Sequence, residues 1–213
     1  MPALNEAAGI RAALEALAPL RAAGHEVIVA DGGSDDGTPD LARPLCDRVA
    51  SAPRGRAMQM NAGARAATGD VLIFLHADTV LPPDAPHAIF QATSTRLWGR
   101  FDVDIEGRHP LLKLVAWSMN LRSRLTGIAT GDQAIFVRRD AFAGFAEIPL
   151  MEDIAFSQAM KRRGRPACLR RRVRTSGRRW ESRGVLRTIL LMWRLRLAYA
   201  LGADPARLAE KYR

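Results

Sequence analysis

Cysteine is almost missing from the chain. Two in 213 residues, Cys46 and Cys168, show no disulfide framework and no thiolate metal spacing, which suits a reducing, cytoplasmic setting. No apolar run approaches the roughly 20 residues that a spanning helix needs. The opening Met1-Pro-Ala-Leu-Asn-Glu6 lacks the basic and apolar segments of a signal peptide. Internal repeats and low-complexity linkers are also lacking, so one domain is expected. Acids are scarce beside bases, 22 against 32, for a net charge of +10. Such a balance points to a polyanionic partner: nucleic acid, an anionic membrane or a phosphorylated substrate. With 48% hydrophobic and 25% charged residues the chain is globular, and it is long enough to bury a sizeable core.

What is present is organised around Val71-Leu-Ile-Phe-Leu75. Five apolar residues between a Gly turn and a polar cluster predict a strand buried on both faces, ending at His76 and Asp78. Glu26-Val-Ile-Val-Ala30 predicts another strand, running into Asp31-Gly-Gly-Ser-Asp-Asp-Gly-Thr38. Two adjacent glycines there let backbone approach a ligand closely. Helices are expected after Asn5 as cap, from Thr38-Pro39, after Arg54-Gly-Arg56, over 85–93, 111–124, 152–163 and 184–201. Residues 48–52, 99–105, 131–137 and 167–175 read as extended, and in 99–105 Arg100, Asp102 and Asp104 alternate with Phe101, Val103 and Ile105 as a solvent face. Strand–helix alternation in the first half predicts a helix-covered α/β layer, where ligands sit at the carboxyl ends of strands.

At this point the chain resembles a family. Pro2-Ala-Leu-Asn-Glu6 and Val-Ala-Asp31-Gly-Gly-Ser-Asp-Asp-Gly-Thr38 look like the nucleotide-binding half of family 2 glycosyltransferases of the GT-A fold. Gly55-Arg-Ala-Met-Gln-Met-Asn61-Ala-Gly63 and Leu75-His-Ala-Asp78-Thr are similar to later motifs. Gly131-Asp-Gln133, Met151-Glu-Asp153 and Arg178-Arg-Trp180 match the acceptor half. The resemblance implies a Rossmann-like, mainly parallel sheet flanked by helices. It implies residues 1–82 as the nucleotide-sugar half, 83–183 as the acceptor and catalytic half, and 184–213 as a C-terminal helical extension.

The activity implied is transfer of a sugar from a nucleotide-diphosphate donor, UDP-linked in many members, to an acceptor hydroxyl with inversion. Asp31 matches the acid that bonds the nucleobase, with Gly32 in the same loop; Glu6 faces the nucleoside. Arg56, Asn61, Arg179 and Trp180 fall in motifs expected around the donor. Asp78 matches the last acid of a metal-binding Asp-x-Asp, for Mg(II) or Mn(II) bridging phosphates. His76 stands where the first acid is usual, and its roles as metal ligand, ribose contact or structural hydrogen bonder stay open. Asp153 matches the general base, with Glu152 orienting it; Asp132 and Gln133 are acceptor-side candidates. Helix capping explains an acid pair at a helix start equally well. The rival classes are a nucleotidyltransferase, which would want a basic N-terminal phosphate loop, and a nucleic-acid-binding protein.

From Lys161 to Arg183 there are eleven basic residues and one acid. A solvated face accounts for such a run, and with Trp180 as its single aromatic, nucleic acid is not expected as a partner. The stripe Leu186, Ile189, Leu190, Trp193 and Leu197, flanked by Arg187, Arg194 and Arg196, suits three partners: the inner face of a membrane, serving a lipid-linked acceptor; the domain itself; or a second copy in a homodimer. In the family an apolar strand precedes Pro2. The first strand is therefore expected to be missing or truncated, with the natural start about 5–10 residues upstream, a normal strand length.

Overall fold

The computed structural model describes residues 1–212, so the last residue of the expected extension, Arg213, lies outside the described residues. In chain order the elements are β1 (Pro2–Ala3), α1 (Ala7–Glu15), α2 (Ala18–Ala22), β2 (Ile28–Asp31), α3 (Thr38–Ala42), β3 (Arg48–Ser51), α4 (Arg56–Ala66), β4 (Val71–Phe74) and β5 (Thr79–Val80). Then follow α5 (Ala85–Thr93), β6 (Trp98–Glu106), α6 (Leu111–Thr126), β7 (Ile135–Arg138), α7 (Glu152–Arg163), β8 (Ala167–Ser176), α8 (Arg178–Arg183), α9 (Val185–Ala200) and α10 (Pro205–Tyr212).

The strands form two sheets. The first is parallel, in the order β1-β2-β3; the second has the order β4-β7-β6-β8-β5. The α/β layering with flanking helices is as expected, but strand directions are more mixed than mainly parallel. β4 pairs with β7 and β6 with β7 antiparallel, β5 with β8 antiparallel, and only β6 with β8 runs parallel in the second sheet. β1 is two residues long. β1 and β4 are therefore edges, and β4 is half-buried along alternate residues rather than covered throughout. Between β2 and β4 runs an apolar groove of about 390 Å³ lined by Met1, Val27, Ile28, Val71 and Ile73. At its rim the Met1 ammonium donates to Ile28 O at 2.8 Å, and burial pushes its pKa down to about 5.

The core has one large cluster spanning both sheets, from Ile10, Leu14 and Val29 to Phe101, Val103 and Phe136. A second lies under α7, where Phe145 stacks on Phe156 at 4.5 Å between centroids and Trp98 meets Phe156 edge-on at 5.9 Å. Truncating one such ring to Ala costs about 3–5 kcal/mol.

Local chemistry explains where the expectations shift. Asn5 is no helix cap: its φ is 54°, and its Oδ1 accepts from Asp35 N at 3.1 Å, tying α1 to the loop after β2. Residues 131–133 form a short 3-10 turn before β7, held by reciprocal bonds between Thr130 and Gln133. The polar face expected on β6 is inside. Arg100 is fully buried, bonded to Asp102, to Ser123 Oγ at 3.0 Å and to Asn120 O at 3.2 Å, because α6 packs over that face. An internal ion pair with its hydrogen bonds satisfied reads in sequence like a solvent-facing alternation.

Candidate active site

The loop after β1 and the loop after β4 open on one side of the molecule, where α8 and α10 face them. Between them lies a cavity of about 760 Å³. Its lining includes Glu6, Arg56, Gln59, His76, Asp78 and Asp132 on one side, and Arg178, Arg179, Trp180, Arg183 and Tyr212 on the other. Of the residues that the sequence pointed to for binding or catalysis, the structure brings Glu6, Arg56, Asp78, Asp132, Arg179 and Trp180 to this cavity. It does not bring Asp31, Gly32, Asn61, Gln133, Glu152 or Asp153 to its surface.

Each of those six has a visible occupation elsewhere. Asp31 is buried at the end of β2 and folds its own loop, accepting from Gly33 N and Ser34 N at 3.0 Å each and from Ser34 Oγ at 2.5 Å. Gly33 has φ 85°, which a side chain would disfavour there. A Cβ on Gly32 would stand 2.8 Å from Gln59 Nε2, so Gly32 makes room for that amide. Asn61 clamps the loop before α7 onto α4, donating to Phe145 O at 3.0 Å and accepting from Phe145 N at 2.8 Å. Gln133 is fully buried, its Nε2 3.3 Å from Asn120 Oδ1. Glu152 and Asp153 start α7, entered through Met151 at φ 71°. A non-glycine residue held there costs of order 1–3 kcal/mol, which the surrounding packing must offset.

Asp153 lies directly behind the cavity wall. Its Oδ2 accepts from Gly131 N at 3.2 Å and its Oδ1 from Ile154 N at 2.7 Å. Glu152 Oε1 stands 3.7 Å from Arg56 Nη1. Burial first, then the neighbouring Asp153 charge, pushes the Glu152 carboxyl above its ordinary range. Burial does the same to Asp153, with the Gly131 amide and Arg56 opposing. Arg56 is held in its charged form against burial by Glu152, Asp132 and Asp153 together.

Asp132 behaves oppositely. Burial pushes it up, but His76, Arg56 and Arg179 outweigh that, and its carboxyl falls below the usual range. His76 Nδ1 lies 3.4 Å from Asp132 Oδ1, while Nε2 is buried without a partner among the described residues. A Cβ on Gly131 would sit 2.5 Å from that nitrogen, so the ring rests on glycine backbone. Nδ1 thus faces Asp132, and Nε2 is covered by the Gly131 backbone. Glu6, on the same wall, is pushed up by burial and then by the Asp78 charge, with Arg178 and Arg179 opposing. Among the described residues no cluster of three or more His, Cys, Asp or Glu could hold a metal by itself.

The opposite wall was only partly legible. Arg179 Nη1 donates to Tyr212 OH at 2.6 Å and Arg183 Nη1 to Tyr212 O at 2.7 Å, and both guanidinium groups lie over the Tyr212 ring, at 5.6 and 5.7 Å. Tyr212 and α10 carried no motif. Pro205 after Asp204, whose Oδ1 accepts from Ala206 N at 2.9 Å, was the one local sign of a helix start. Gln59, inside a recognised motif, was passed over. Of the basic run, Arg170, Arg171, Arg172 and Arg174 are exposed on β8, with Arg171 paired to Asp84 and Arg174 to Glu106. They are a solvated face; the arginines of α8 are the ones that line the cavity.

Residues 1–97 match the family model described as glycosyl transferase family 2. No curated protein matches the chain. Among solved structures, a mycobacterial protein is 20% identical, with a TM-score of 0.59, over 82% of this chain and 63% of its own, so this chain spans less than two thirds of that protein's length. Glucosyl-3-phosphoglycerate synthase from Mycobacterium tuberculosis, in complex with Mn2+, UDP-glucose and glycerol 3-phosphate, is 21% identical over 80% of this chain and 67% of its own, at a TM-score of 0.54. S. aureus TarS 1–349, in complex with UDP-GlcNAc, is 18% identical over 82% of this chain and 56% of its own, at a TM-score of 0.63. At such identities the likeness is one of fold. The glycosyl transferase family 2 match covers the first 97 of the 213 residues, and over the rest the likeness to these structures is one of fold.

Proposed function

We propose that this protein is an inverting glycosyltransferase that moves a sugar from a nucleotide-diphosphate donor, UDP-linked, to an acceptor hydroxyl. The observation that carries the reading is the cavity's polarity: carboxylates Glu6, Asp78 and Asp132 on one wall, Arg178, Arg179 and Arg183 on the other. A nucleotide diphosphate is a polyanion, and arginine's planar fork suits its oxygens. The UDP-sugar complexes of the fold neighbours support the choice of donor.

A divalent cation fits the acidic wall. Burial raises Glu6 and the Asp78 charge adds to it, and a cation between carboxylate and diphosphate relieves that repulsion. Since the described side chains cannot enclose a metal alone, Asp78 would supply one ligand, and the donor's phosphate oxygens and water the others. When bound, the cation supplies Lewis-acid stabilisation of the leaving diphosphate.

Asp153, half-buried behind the wall rather than sealed from it, takes the acceptor hydroxyl's proton as that oxygen reaches past Asp132 and bonds the anomeric carbon. The bond from that carbon to the diphosphate breaks, and the nucleotide leaves with the electron pair. Burial makes Asp153 the stronger base, while Asp132, 42% exposed, is the more open. Asp132 keeps its negative charge beside His76 and orients the acceptor. Arg179 and Trp180 close over the diphosphate and sugar.

The test is a panel of nucleotide sugars, with and without Mn(II), read by thermal shift and by release of nucleoside diphosphate. UDP with Mn(II) should raise the melting temperature in step with its excess over Kd. If no nucleotide stabilises the protein, the reading fails.

A further inference from the structure

Ten large hydrophobic side chains are exposed among the described residues, and Phe90 is the single one away from α6 and α9. On α6 they are Leu114, Trp117, Leu121 and Leu125, spaced along one face. On α9 and its cap they are Leu186, Leu190, Trp193, Leu197 and Leu201, again one face, with Trp193 73% exposed. The stripe that the sequence suggested is thereby corrected: Ile189 turns inward to the core, and the exposed face is shared with a second helix. The two helices pack on each other, and their N-terminal ends flank one shallow groove formed by residues 108–110 and 184–187.

Exposed apolar residues scattered singly need no explanation, but nine on two touching helices do. Their charge says what covers them. α6 and α9 carry no acid, and of their six basic residues Arg122 and Arg124 turn inward, Arg124 onto Asp102, which leaves Lys113, Arg187, Arg194 and Arg196 on the outer side. A second copy of this chain would bring like charges face to face. An anionic surface complements them, and tryptophan beside arginine on a leucine face is the pattern of helices lying in a bilayer interface. No described helix is long and apolar enough to cross a membrane, so lying on the surface is the geometry left for such a contact.

We propose that α6 and α9 form one platform that seats this protein on an anionic lipid bilayer. The opposite side of α9 supplies Thr188 and Met192 to the cavity. Seating therefore places the cavity behind α9, about 10 Å from the lipid surface, within reach of an acceptor carried on a lipid. The docking itself does not rest on the transferase reading and is measured without substrate.

The experiment is co-sedimentation of the full chain with vesicles of phosphatidylcholine alone, or of phosphatidylcholine and phosphatidylglycerol in equal parts. Binding is expected to the anionic vesicles at low ionic strength, and weaker binding as salt screens the arginines. Trp117→Glu and Trp193→Glu, at solvent-facing positions, should each lower the bound fraction about tenfold while leaving the circular dichroism melt unchanged. Brominated lipid should quench the fluorescence of both tryptophans, one share lost in each variant. No binding, or equal binding to neutral vesicles, overturns the proposal. Quenching that depends on Trp193 alone overturns the two-helix platform. A dimer by light scattering that Trp117→Glu dissociates, without vesicle binding, shows that a second copy is the occupant.

Discussion

One wall of the cavity is built from strand ends and the loops tied to them. Asp78 follows β4, Glu6 sits where β1 meets α1, and Asp132 lies in the turn before β7. Their backbones are pinned by interior bonds, such as Glu6 N to Thr38 Oγ1 at 2.9 Å. The other wall is one turn and a half of helix, Arg178–Arg183, with no buried residue of its own, steadied by the far end of the chain. The acidic wall is placed by the core, the basic wall by a tether. A site divided this way holds its carboxylates rigid while its arginines ride on a helix that the core does not fix.

The sharpest break would come at Asp78. Asp78→Asn should abolish Mn(II)-dependent UDP binding while the melting temperature holds, because the side chain does no core packing. Isothermal titration that finds the metal-dependent affinity unchanged removes Asp78 from the metal site. Next in size is Asp153→Asn, expected to keep donor binding and cut transfer by a factor of about 100 or more. Near wild-type transfer would make Asp153 only the first turn of α7, with Asp132 the next to replace.

The same pair gives a pH signature. Glu152 and Asp153 have raised carboxyl pKa values, so between the ordinary and the raised values the folded state holds protons that the unfolded chain has released. Stability therefore falls as pH rises through that window. Asp153→Asn should flatten the fall in melting temperature; an unaltered profile would mean the buried charge is not there.

How much of this was readable follows the same division. Strand ends and helix starts are local: a Gly turn, an apolar run and an acid lie within a dozen residues, so β4, α4, α5 and α7 and the place of Asp78 were legible, while Glu6 and Asp132 were pointed to by motifs that resemble the family's. Failures came where a side chain's partner is distant in sequence. Arg100 and Asp102 looked solvated because Ser123 and Asn120, which close their network, lie on another element. Asn61 looked like a ligand contact, yet its amide is taken up by Phe145, 84 residues on. Tyr212 had no local sign at all.

Gly131 offers a test of intermediate size, because it joins the two carboxylates: its N–H bonds Asp153 and its bare α-carbon seats His76. Gly131→Ala should push the imidazole off Asp132. Losing a hydrogen bond to a charged carboxylate costs about 1.5 kcal/mol, or roughly tenfold in kcat/KM. Asp132 should also lose part of what holds its carboxyl low, moving the acid limb of the rate profile upward. If both rate and limb stay put, His76 is no support for Asp132.

The smallest effect belongs to the tether. Tyr212 offers Arg179 a hydroxyl at 2.6 Å and a ring face at 5.6 Å. Tyr212→Phe removes the first and keeps the second; Tyr212→Ala removes both. A net hydrogen bond is worth about 0.5–1.5 kcal/mol, and exposure puts this one at the low end, so Tyr212→Phe should weaken UDP roughly threefold or less; an exposed cation–ring contact adds about 0.5–1 kcal/mol, so Tyr212→Ala should go further. The direction carries the information. Weakening in that order means that α10 holds the arginines in the geometry the diphosphate needs. If Tyr212→Ala instead tightens UDP, the phenol competes with the phosphates for Arg179, and α10 must swing aside before the donor enters.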